Sequence, residues 1–210
     1  MTHVLRQWAL ALARPIHVRL RSQKVDLFRE YLSATGLTLL DVGGGAGIAG
    51  EFIQLYSYFS SVVMANLEPS LEGLNGCRIL PVAADGRQLP FTEKSFDWVF
   101  SNAVIEHVGD YEKQRVFANE IRRVAARGYF VTTPNKYFPI EPHSLLPFYQ
   151  FLSPEWQRRV VRFSPGYMRE YEEIHLLSAG QMQSLFPEAK IIPTGVPLFR
   201  NSLVACYKSA

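Results

Sequence analysis

Cysteine is scarce in this sequence: Cys77 and Cys206 are its two examples among 210 residues. Neither cysteine belongs to a CxxC pair or has a histidine at metal-ligand spacing, which argues against a structural zinc site. Isolated thiols in a chain of this size are typical of a reducing compartment. We therefore expect a cytoplasmic protein in which both cysteines are small core residues.

The apolar stretch near the N-terminus, residues 8–13, is short. A bilayer-spanning helix needs about 20 consecutive apolar residues, so no transmembrane segment is predicted here, and no small-residue cleavage pattern marks a signal peptide. Leu5, Trp8 and Leu12 fall on one face of a helix. This face predicts an amphipathic helix packed on the domain. Weak contact with a membrane or a lipid substrate stays open as the alternative.

Charge of either sign is modest, since charged residues make up 20% of the chain and the formal net charge is +3. This charge is too small for strong binding to a nucleic-acid backbone, so we expect no nucleic-acid partner. The basic residues concentrate in two segments, interpreted either as solvated helix faces or as contacts with an anionic substrate or membrane. They are Arg6, Arg14, Arg19, Arg21 and Lys24 in the first segment, and Arg158, Arg159, Arg162 and Arg169 in the second.

Short apolar runs alternate with amphipathic segments over residues 37–135. This alternation is typical of βαβ units, and it predicts a mostly parallel sheet covered by helices on both faces. The chain length predicts a single domain. The predicted strands are 37–42, 61–65, 78–83, 96–101 and 128–133, and the predicted helices are 22–35, 46–59 and 111–125.

The pattern changes after Asn135, where the chain becomes rich in proline and aromatic residues. An irregular segment of this length is typical of a lid or a substrate wall. A final helix and two short strands follow, and the strands are close enough in sequence to pair antiparallel. The domain is thus divided into N-terminal helices at 1–36, a core at 37–135, an insert at 136–178 with a helix at 154–163, and a C-terminal unit at 179–210 with a helix at 180–186 and strands at 190–192 and 202–207.

The strongest local signal is a glycine-rich loop between the first predicted strand and the next helix, Leu39-Leu40-Asp41-Val42-Gly43-Gly44-Gly45-Ala46-Gly47. Glycines let a ligand approach the backbone, and the helix start presents free N–H groups to it. From Gly45 to Gly50 the loop matches the GxGxxG fingerprint of dinucleotide-binding domains. From Asp41 to Gly47 it follows the pattern DxGxGxG. Asp41 favours the second interpretation, because its carboxylate accepts from a cationic amino group but repels a pyrophosphate.

Three further segments follow the loop. Glu68 follows the second predicted strand, Asp85 and Gly86 follow the third, and Asn102 and His107 follow the fourth, in Ser101-Asn102-Ala103-Val104-Ile105-Glu106-His107-Val108. Together with the loop, they resemble the ordered motifs of class I S-adenosylmethionine-dependent methyltransferases. The fourth-strand segment resembles that of the small-molecule, type 11 family. The resemblance covers about residues 37–135 well and the C-terminal hairpin more loosely.

This resemblance implies an α/β fold, a Rossmann-like three-layer sandwich with a seven-stranded, mostly parallel sheet and an antiparallel C-terminal hairpin. It also implies S-adenosyl-L-methionine as cofactor and S-adenosyl-L-homocysteine as product. Asp41 would accept from the amino group of the methionine moiety, Glu68 would bind both ribose hydroxyls, and Asp85 would accept from the adenine amino group. The other cofactor-binding residues that the resemblance implies are Gly43, Gly45, Gly47, Gly86, Asn102 and His107.

Catalytic residues are predicted on the loops at the carboxyl ends of the strands, where ligands bind in such sheets. Glu141 and His143 follow the fifth predicted strand in an extended, proline-flanked stretch. Their spacing of two residues puts both side chains on one side, so the carboxylate can hold the imidazole as a general base. The alternative is that this pair only anchors the lid by hydrogen bonds. We expect His107 to be structural and His175 to lie at the surface.

The predicted reaction is methyl transfer to a small-molecule acceptor, specifically to an oxygen of a sugar, glycolipid or phenol-like compound. Similar TPN…PxEPH stretches in type 11 methyltransferases found alongside glycosylation genes suggest the sugar. No cluster of Asp, Glu and His resembles a magnesium-dependent site, so we predict no metal. An NAD(P)-binding Rossmann oxidoreductase and a non-catalytic S-adenosylmethionine-binding protein stay open as alternatives. The apolar stretch Leu145 to Leu152 is interpreted as the wall of an acceptor pocket, a segment buried against the sheet, or a dimer contact.

Overall fold

The computed structural model describes residues 18–32, 36–45, 52–69, 79–166, 168, 170–196 and 199–209. Its seven strands are β1 (Leu37–Val42), β2 (Phe59–Asn66), β3 (Ile79–Ala83), β4 (Phe96–Asn102), β5 (Ala125–Pro134), β6 (Lys190–Val196) and β7 (Phe199–Lys208). They form one sheet in the order β3-β2-β1-β4-β5-β7-β6.

Strands β1 to β5 pair in parallel, and β7 runs antiparallel to both of its neighbours, β5 and β6. The predicted sheet, mostly parallel with a reversed C-terminal hairpin, is therefore confirmed. From β1 the chain builds outward to β2 and β3, and then returns to place β4 on the other side of β1. Such a reversal leaves a crevice at the carboxyl ends of the central strands, where ligands bind in open α/β sheets.

Helices pack on both faces of the sheet. They are α1 (described over residues 18–31), α2 (Ile53–Tyr56), α3 (Tyr111–Val124) and α5 (Ala179–Leu185). A further helix, α4 (Pro154–Val160), belongs to the insert between β5 and α5. The side chain of Asp110 accepts a hydrogen bond from the backbone N–H of Lys113, so it caps the start of α3. That helix ends where Ala125 adopts extended backbone and enters β5.

Adjacent side chains of the strands contribute to two separate cores. Leu39 and Leu40 are neighbours in β1, and both are fully buried because successive strand residues point to opposite faces. Leu40 packs in the core that contains Phe117 of α3. Leu39 packs in the core that contains Phe28 of α1, whose ring stacks on Phe130 with 4.7 Å between centroids. Two helical layers around one sheet give the predicted three-layer, Rossmann-like sandwich.

The helix predicted over 46–59 extends too far at its C-terminal end, because α2 ends at Tyr56. Phe59 already belongs to β2, because it pairs with Leu37 of the neighbouring β1. Residues 46–51 of this predicted helix lie outside the described residues.

Four predicted strands are too short by more than one residue, because pairing with a neighbour continues beyond the most apolar residues. The strand predicted at 61–65 spans Phe59–Asn66. The strand predicted at 128–133 begins at Ala125, which pairs with Phe96 of β4. Both strands of the hairpin likewise extend along their antiparallel ladder, to Lys190–Val196 and Phe199–Lys208.

Cys206 is buried in the core, as predicted. Cys77 and the predicted amphipathic helix with Leu5, Trp8 and Leu12 lie outside the described residues. Within the described part of the chain, we find no helix that is long and apolar enough to cross a membrane.

The insert between β5 and α5 has a small core of its own, formed by Tyr149, Val161 and Met168. The helix predicted over 154–163 is α-helical only to Val160 and continues as a 3₁₀ turn, Val161–Phe163. The insert is therefore ordered structure placed beside the carboxyl ends of the strands.

Candidate active site

The glycine loop turns sharply at the end of β1. Gly43 has a φ of +82°, which residues with a Cβ rarely adopt, and a Cβ there would overlap the side chain of Val104. A Cβ on Gly44 would overlap the carboxylate of Asp41. Glycine is therefore required for the chain to pass this close to its neighbours. Gly47 lies outside the described residues.

Asp41 is buried at the floor of this loop, with 3% of its surface exposed. The hydroxyl of Tyr56 donates to its Oδ2 atom. Burial raises the pKa of Asp41 to about 6, and the bond from Tyr56 lowers it only in part. Gly45 and Asn102 line the same small pocket as Asp41. The pocket thus offers a carboxylate that a cationic group would hold in its ionised form.

A larger cavity of about 180 Å³ opens beside the loop. Gly43, Asp85, Gly86 and His107 all contribute to its wall, so the folding of the chain brings four of the predicted cofactor residues together. A Cβ on Gly86 would overlap the ring of Phe117, so a larger residue would disturb α3. This cavity and the pocket at Asp41 share Gly43.

Asp85 is held in place by a close ion pair with Arg87. The guanidinium Nη2 atom lies 2.6 Å from Asp85 Oδ2, and the backbone N–H of Arg87 donates to Oδ1 at 2.8 Å. The side-chain hydrogen bond from Arg87 is the main reason that the pKa of Asp85 is lowered. The carboxylate therefore stays ionised and fixed at the cavity wall.

Glu68 lies two residues beyond the end of β2 and is exposed to solvent. The cavity wall at this strand is formed instead by Asn66 and Leu67. The side-chain amide of Asn66 donates to the carbonyl of Gly44 at 2.7 Å, which ties the end of β2 to the glycine loop. Sequence reasoning missed Asn66, although its place at the end of a buried strand was a usable signal.

Lys24 reaches from α1 to the carboxyl ends of β4 and β5. Its Nζ atom lies 3.5 Å from both Asn102 Oδ1 and Thr132 Oγ1, and that hydroxyl donates to Asn102 Oδ1 at 2.7 Å. Burial lowers the pKa of Lys24 to about 8, against the opposing charge of Glu106. No motif marked Lys24, because α1 is remote in sequence from the strands that it reaches.

Glu141 and His143 are hydrogen-bonded, with 2.5 Å between His143 Nδ1 and Glu141 Oε1. Glu141 is buried and also accepts from the backbone N–H groups of His143 and Ser144. Burial opposes protonation of His143, but the hydrogen bond and charge of Glu141, aided by Glu106, raise the pKa of His143 overall. The carboxylate thus fixes the ring and favours its protonated form.

His107 connects this pair to the cofactor cavity. Its ring contacts that of His143 edge-to-face, with 5.0 Å between centroids, and it lines the cavity wall. Desolvation by the surrounding chain, followed by the charge of the nearby His143, lowers the pKa of His107 to about 4, even though its side chain is exposed to solvent. His107 is therefore neutral near neutral pH.

Glu106 is fully buried beside these histidines. Its Oε2 atom accepts from the hydroxyl of Thr133 at 3.1 Å, while its Oε1 atom has no hydrogen-bond partner among the described residues. Burial raises the pKa of this carboxyl group. We call Glu106, His107, Glu141 and His143 the Glu/His cluster.

Three members of the Glu/His cluster, Glu106, His107 and His143, offer metal-ligating atoms within 4.8 Å of one another. The sequence did not suggest this grouping, because the fourth strand and the insert contribute its members separately. The expected absence of a metal stays a prediction.

The backbone N–H of His175 donates to the carbonyl of Glu106 at 2.9 Å, but its side chain is not a member of the Glu/His cluster. Its Nε2 atom is 3.2 Å from the exposed Glu173, and the side chain lines a separate cavity of about 210 Å³ together with Gln114, Lys136 and Gln150. Glu173 and His175 have the same Glu-x-His spacing as Glu141 and His143, but both of their side chains are more exposed to solvent.

Comparison with known proteins supports the interpretation of the motifs. Residues 40–132 match a family model described as a methyltransferase domain, of type 11. No curated protein matches the chain in sequence.

Solved structures share the fold across most of the chain. The PH0226 protein of Pyrococcus horikoshii OT3 is 16% identical, with a TM-score of 0.66 and 91% of each chain covered. Magnesium protoporphyrin IX methyltransferase of Synechocystis PCC 6803, solved with S-adenosylhomocysteine, is 15% identical, with a TM-score of 0.61 and coverage of 93% of this chain and 85% of that one. The N-methyltransferase NodS of Bradyrhizobium japonicum WM9, also solved with S-adenosylhomocysteine, is 14% identical, with a TM-score of 0.57 and coverage of 90% and 86%.

At these identities, the likeness to solved structures shows the fold alone. The family match spans the glycine loop and the segments after β2, β3 and β4, in the same order as the motifs. It therefore favours the DxGxGxG interpretation of the loop over the dinucleotide one. Residues 40–132 of this chain match the methyltransferase domain of the type 11 family, and the motifs within that span are those that class I S-adenosylmethionine-dependent methyltransferases carry.

Proposed function

We propose that this enzyme methylates a hydroxyl oxygen of a small-molecule acceptor, with His143 as the general base and Glu141 as the residue that positions it. The observation that carries the proposal is the chain of contacts from the cofactor cavity to the base. His107 lines that cavity and touches His143, and His143 is held by Glu141.

The cofactor site is proposed to lie across the pocket at Asp41 and the adjoining cavity. Asp41 would hold the ammonium group of the methionine moiety, because this buried carboxylate gains most from a cationic partner. Asn66 and Asp85 would bind the polar groups of the nucleoside from the cavity wall. When bound, S-adenosylmethionine supplies an electrophilic methyl group on a sulfonium sulfur.

The protein must then align the acceptor and remove its proton. As the acceptor oxygen takes the methyl group and the methyl–sulfur bond breaks to leave S-adenosylhomocysteine, the hydroxyl proton would pass to Nε2 of His143, because Nδ1 is engaged by Glu141. The resulting imidazolium is stabilised by the Glu141 carboxylate beside it and by Glu106 nearby. The neutral His107 adds no charge that would oppose this protonation.

The acceptor is proposed to be polyhydroxylated, such as a sugar or the sugar part of a glycolipid. The cavity of about 210 Å³ in the insert is lined by polar side chains that include Gln114, Lys136, Gln150 and Gln181. Gln114 donates to the carbonyls of Ile105 and His175, so this cavity borders the turn that carries Glu106 and His107. Amide and ammonium groups are suited to hydrogen-bond several hydroxyls at once.

The test is an acceptor screen with S-adenosylmethionine, in which the release of S-adenosylhomocysteine is measured for sugars, glycolipids and phenols. We expect turnover with a hydroxylated acceptor and mass spectrometry that places the methyl group on oxygen. Methylation of nitrogen or carbon would overturn the oxygen assignment. Tight binding of S-adenosylhomocysteine without turnover on any acceptor would favour a non-catalytic binding protein.

A further inference from the structure

Exposed apolar side chains are concentrated on the insert. Seven of the twelve large apolar side chains that are exposed among the described residues lie between positions 137 and 163. A water-soluble surface rarely collects them so densely unless they contact something. They are Tyr137, Ile140, Phe148, Phe151, Leu152, Trp156 and Phe163, and we call them the insert aromatic surface.

The backbone holds Phe148 outward. Its φ of +57° lies in the left-handed region, which is unfavourable for a residue with a Cβ, and 59% of its surface is exposed. The N–H of Phe148 donates to the carbonyl of Pro139 at 2.7 Å, while the next residue, Tyr149, turns inward to the small core. An unfavourable backbone conformation at an exposed apolar residue motivates the hypothesis that this ring contacts a partner.

Helix α4 has no buried residue along its length. Its inner side contacts the insert through Gln157, which donates to the carbonyl of Tyr149, and through Val160. Trp156 and Phe163 are seven residues apart, which places them two turns apart on one side of the helical segment. Both rings are more than half exposed.

Positive charge accompanies these rings. The guanidinium carbon of Arg159 lies 5.1 Å from the ring centroid of Trp156, and that of Arg162 lies 4.9 Å from the ring centroid of Phe163. Arg158 is also exposed, and its guanidinium carbon lies 4.3 Å from the ring centroid of Tyr171, which the exposed Glu170 and Glu172 flank in sequence. The single acidic residue of α4 itself is Glu155. Aromatic rings beside arginines suit the boundary between lipid headgroups and acyl chains.

We propose that the insert aromatic surface docks on an anionic membrane, with Phe148, Trp156 and Phe163 entering the headgroup boundary and the arginines binding lipid phosphates. A second copy of this chain fits the surface less well, because a symmetric contact would bring the arginines of both copies together. This inference goes beyond the proposed function and does not rest on it, since binding is measured without cofactor or acceptor.

The experiment is sedimentation of the full chain with vesicles of phosphatidylcholine, alone or mixed with phosphatidylglycerol. We expect binding to the mixed vesicles that weakens as salt is added, and little binding to phosphatidylcholine alone. Replacing both Arg158 and Arg159 by glutamine should weaken this binding by about ten-fold or more. Trp156→Ser combined with Phe163→Ser should weaken it similarly, because less apolar surface enters the boundary.

The matched controls lie on α3, where Val116 is exposed and Arg115 pairs with Glu112 on the surface. Val116→Ser and Arg115→Gln should leave vesicle binding unchanged. Circular dichroism melting of each variant establishes that it is folded. The proposal is overturned if the wild type binds neither vesicle, or if the insert variants bind as the wild type does. The proposal is also overturned if sedimentation without lipid shows that the wild type is a dimer and that the variant with Trp156→Ser and Phe163→Ser is a monomer.

Discussion

The Nδ1 atom of His143 lies 2.5 Å from the Oε1 atom of Glu141. The same oxygen accepts from the backbone N–H of His143 at 3.0 Å, and the other carboxylate oxygen accepts from the N–H of Ser144 at 2.6 Å. Glu141 thereby fixes both the turn of the backbone and the orientation of the ring. The Nε2 atom of His143 is left as the nitrogen that exchanges a proton with an acceptor.

Replacing Glu141 by glutamine should change the pH profile of the reaction. Glu141 raises the pKa of His143, and a base acts in its neutral form, so the rising limb of the wild-type profile lies at that raised pKa. In Glu141→Gln, the limb should move to lower pH while kcat falls by about ten-fold or more. The measurement is kcat against pH, with Glu173→Gln as the control. An unshifted limb would remove Glu141 from the role of positioning the base.

Asp41→Asn should make the protein more stable but weaken its binding of the cofactor product. Folding raises the pKa of Asp41 from 3.8 to about 6, so between these values the folded chain binds more protons than the unfolded one. The free energy of unfolding therefore decreases as pH rises through this window. The asparagine variant should be more stable at neutral pH, by on the order of 2 kcal/mol, because it buries no charge. Its affinity for S-adenosylhomocysteine should be about ten-fold weaker.

Urea unfolding and calorimetric titration measure these two quantities for Asp41→Asn. Phe100, which lines the same pocket without a titratable group, offers Phe100→Leu as a control that should not gain stability. If Asp41→Asn binds S-adenosylhomocysteine as tightly as the wild type does, Asp41 does not hold the ammonium group.

The end of β2 offers two candidates for contact with the cofactor. Asn66 lines the cavity and holds the carbonyl of Gly44, whereas Glu68 is exposed beyond it. Asn66→Ala should weaken the binding of S-adenosylhomocysteine by about ten-fold, because it removes a polar contact and loosens the loop. Glu68→Ala should have a smaller effect. Calorimetry on both variants decides between them, and the reverse order of effects would restore Glu68 to the ribose contact that its motif implies.

Treatment with a chelator tests whether the Glu/His cluster acts without a metal. We expect the rate of methyl transfer to be unchanged after dialysis against EDTA, because His143 takes up the proton directly. Loss of activity that zinc or manganese restores would instead identify Glu106, His107 and His143 as metal ligands, whose ligating atoms lie within 4.8 Å of one another.

Local sequence was enough to predict the parts of the site that one segment builds. Asp41 and Gly43 lie in a strand and turn whose geometry the sequence specifies within a few residues. The bond between Glu141 and His143 also follows from their spacing in an extended stretch.

The remaining residues of the site could not be predicted, because tertiary packing brings them there. Lys24 reaches Asn102 and Thr132 because α1 packs on the sheet, where Phe28 of this helix stacks on Phe130 of β5. Neither hydrophobic periodicity nor a sequence motif links Lys24 to side chains that are so distant from it in sequence.

The pattern of hydrophobic residues predicted the fold more readily than it predicted where each strand begins and ends. Alternating apolar segments predicted the sheet, since central strands such as β1 and β4 bury both of their faces. The start of β2 at Phe59 depends on pairing with Leu37, which a pattern within one segment does not contain.

The most direct test of the central claim compares His143→Ala with His175→Ala, since both histidines pair with a glutamate two residues before them. Methyl transfer to an accepted hydroxyl compound and affinity for S-adenosylhomocysteine are measured on the same preparations. We predict that His143→Ala lowers kcat by about a hundred-fold or more with cofactor affinity near that of the wild type. His175 lines the proposed acceptor cavity, so His175→Ala should raise the KM for the acceptor while kcat stays within a few-fold of the wild type. Full activity in His143→Ala would contradict the assignment of His143 as the base.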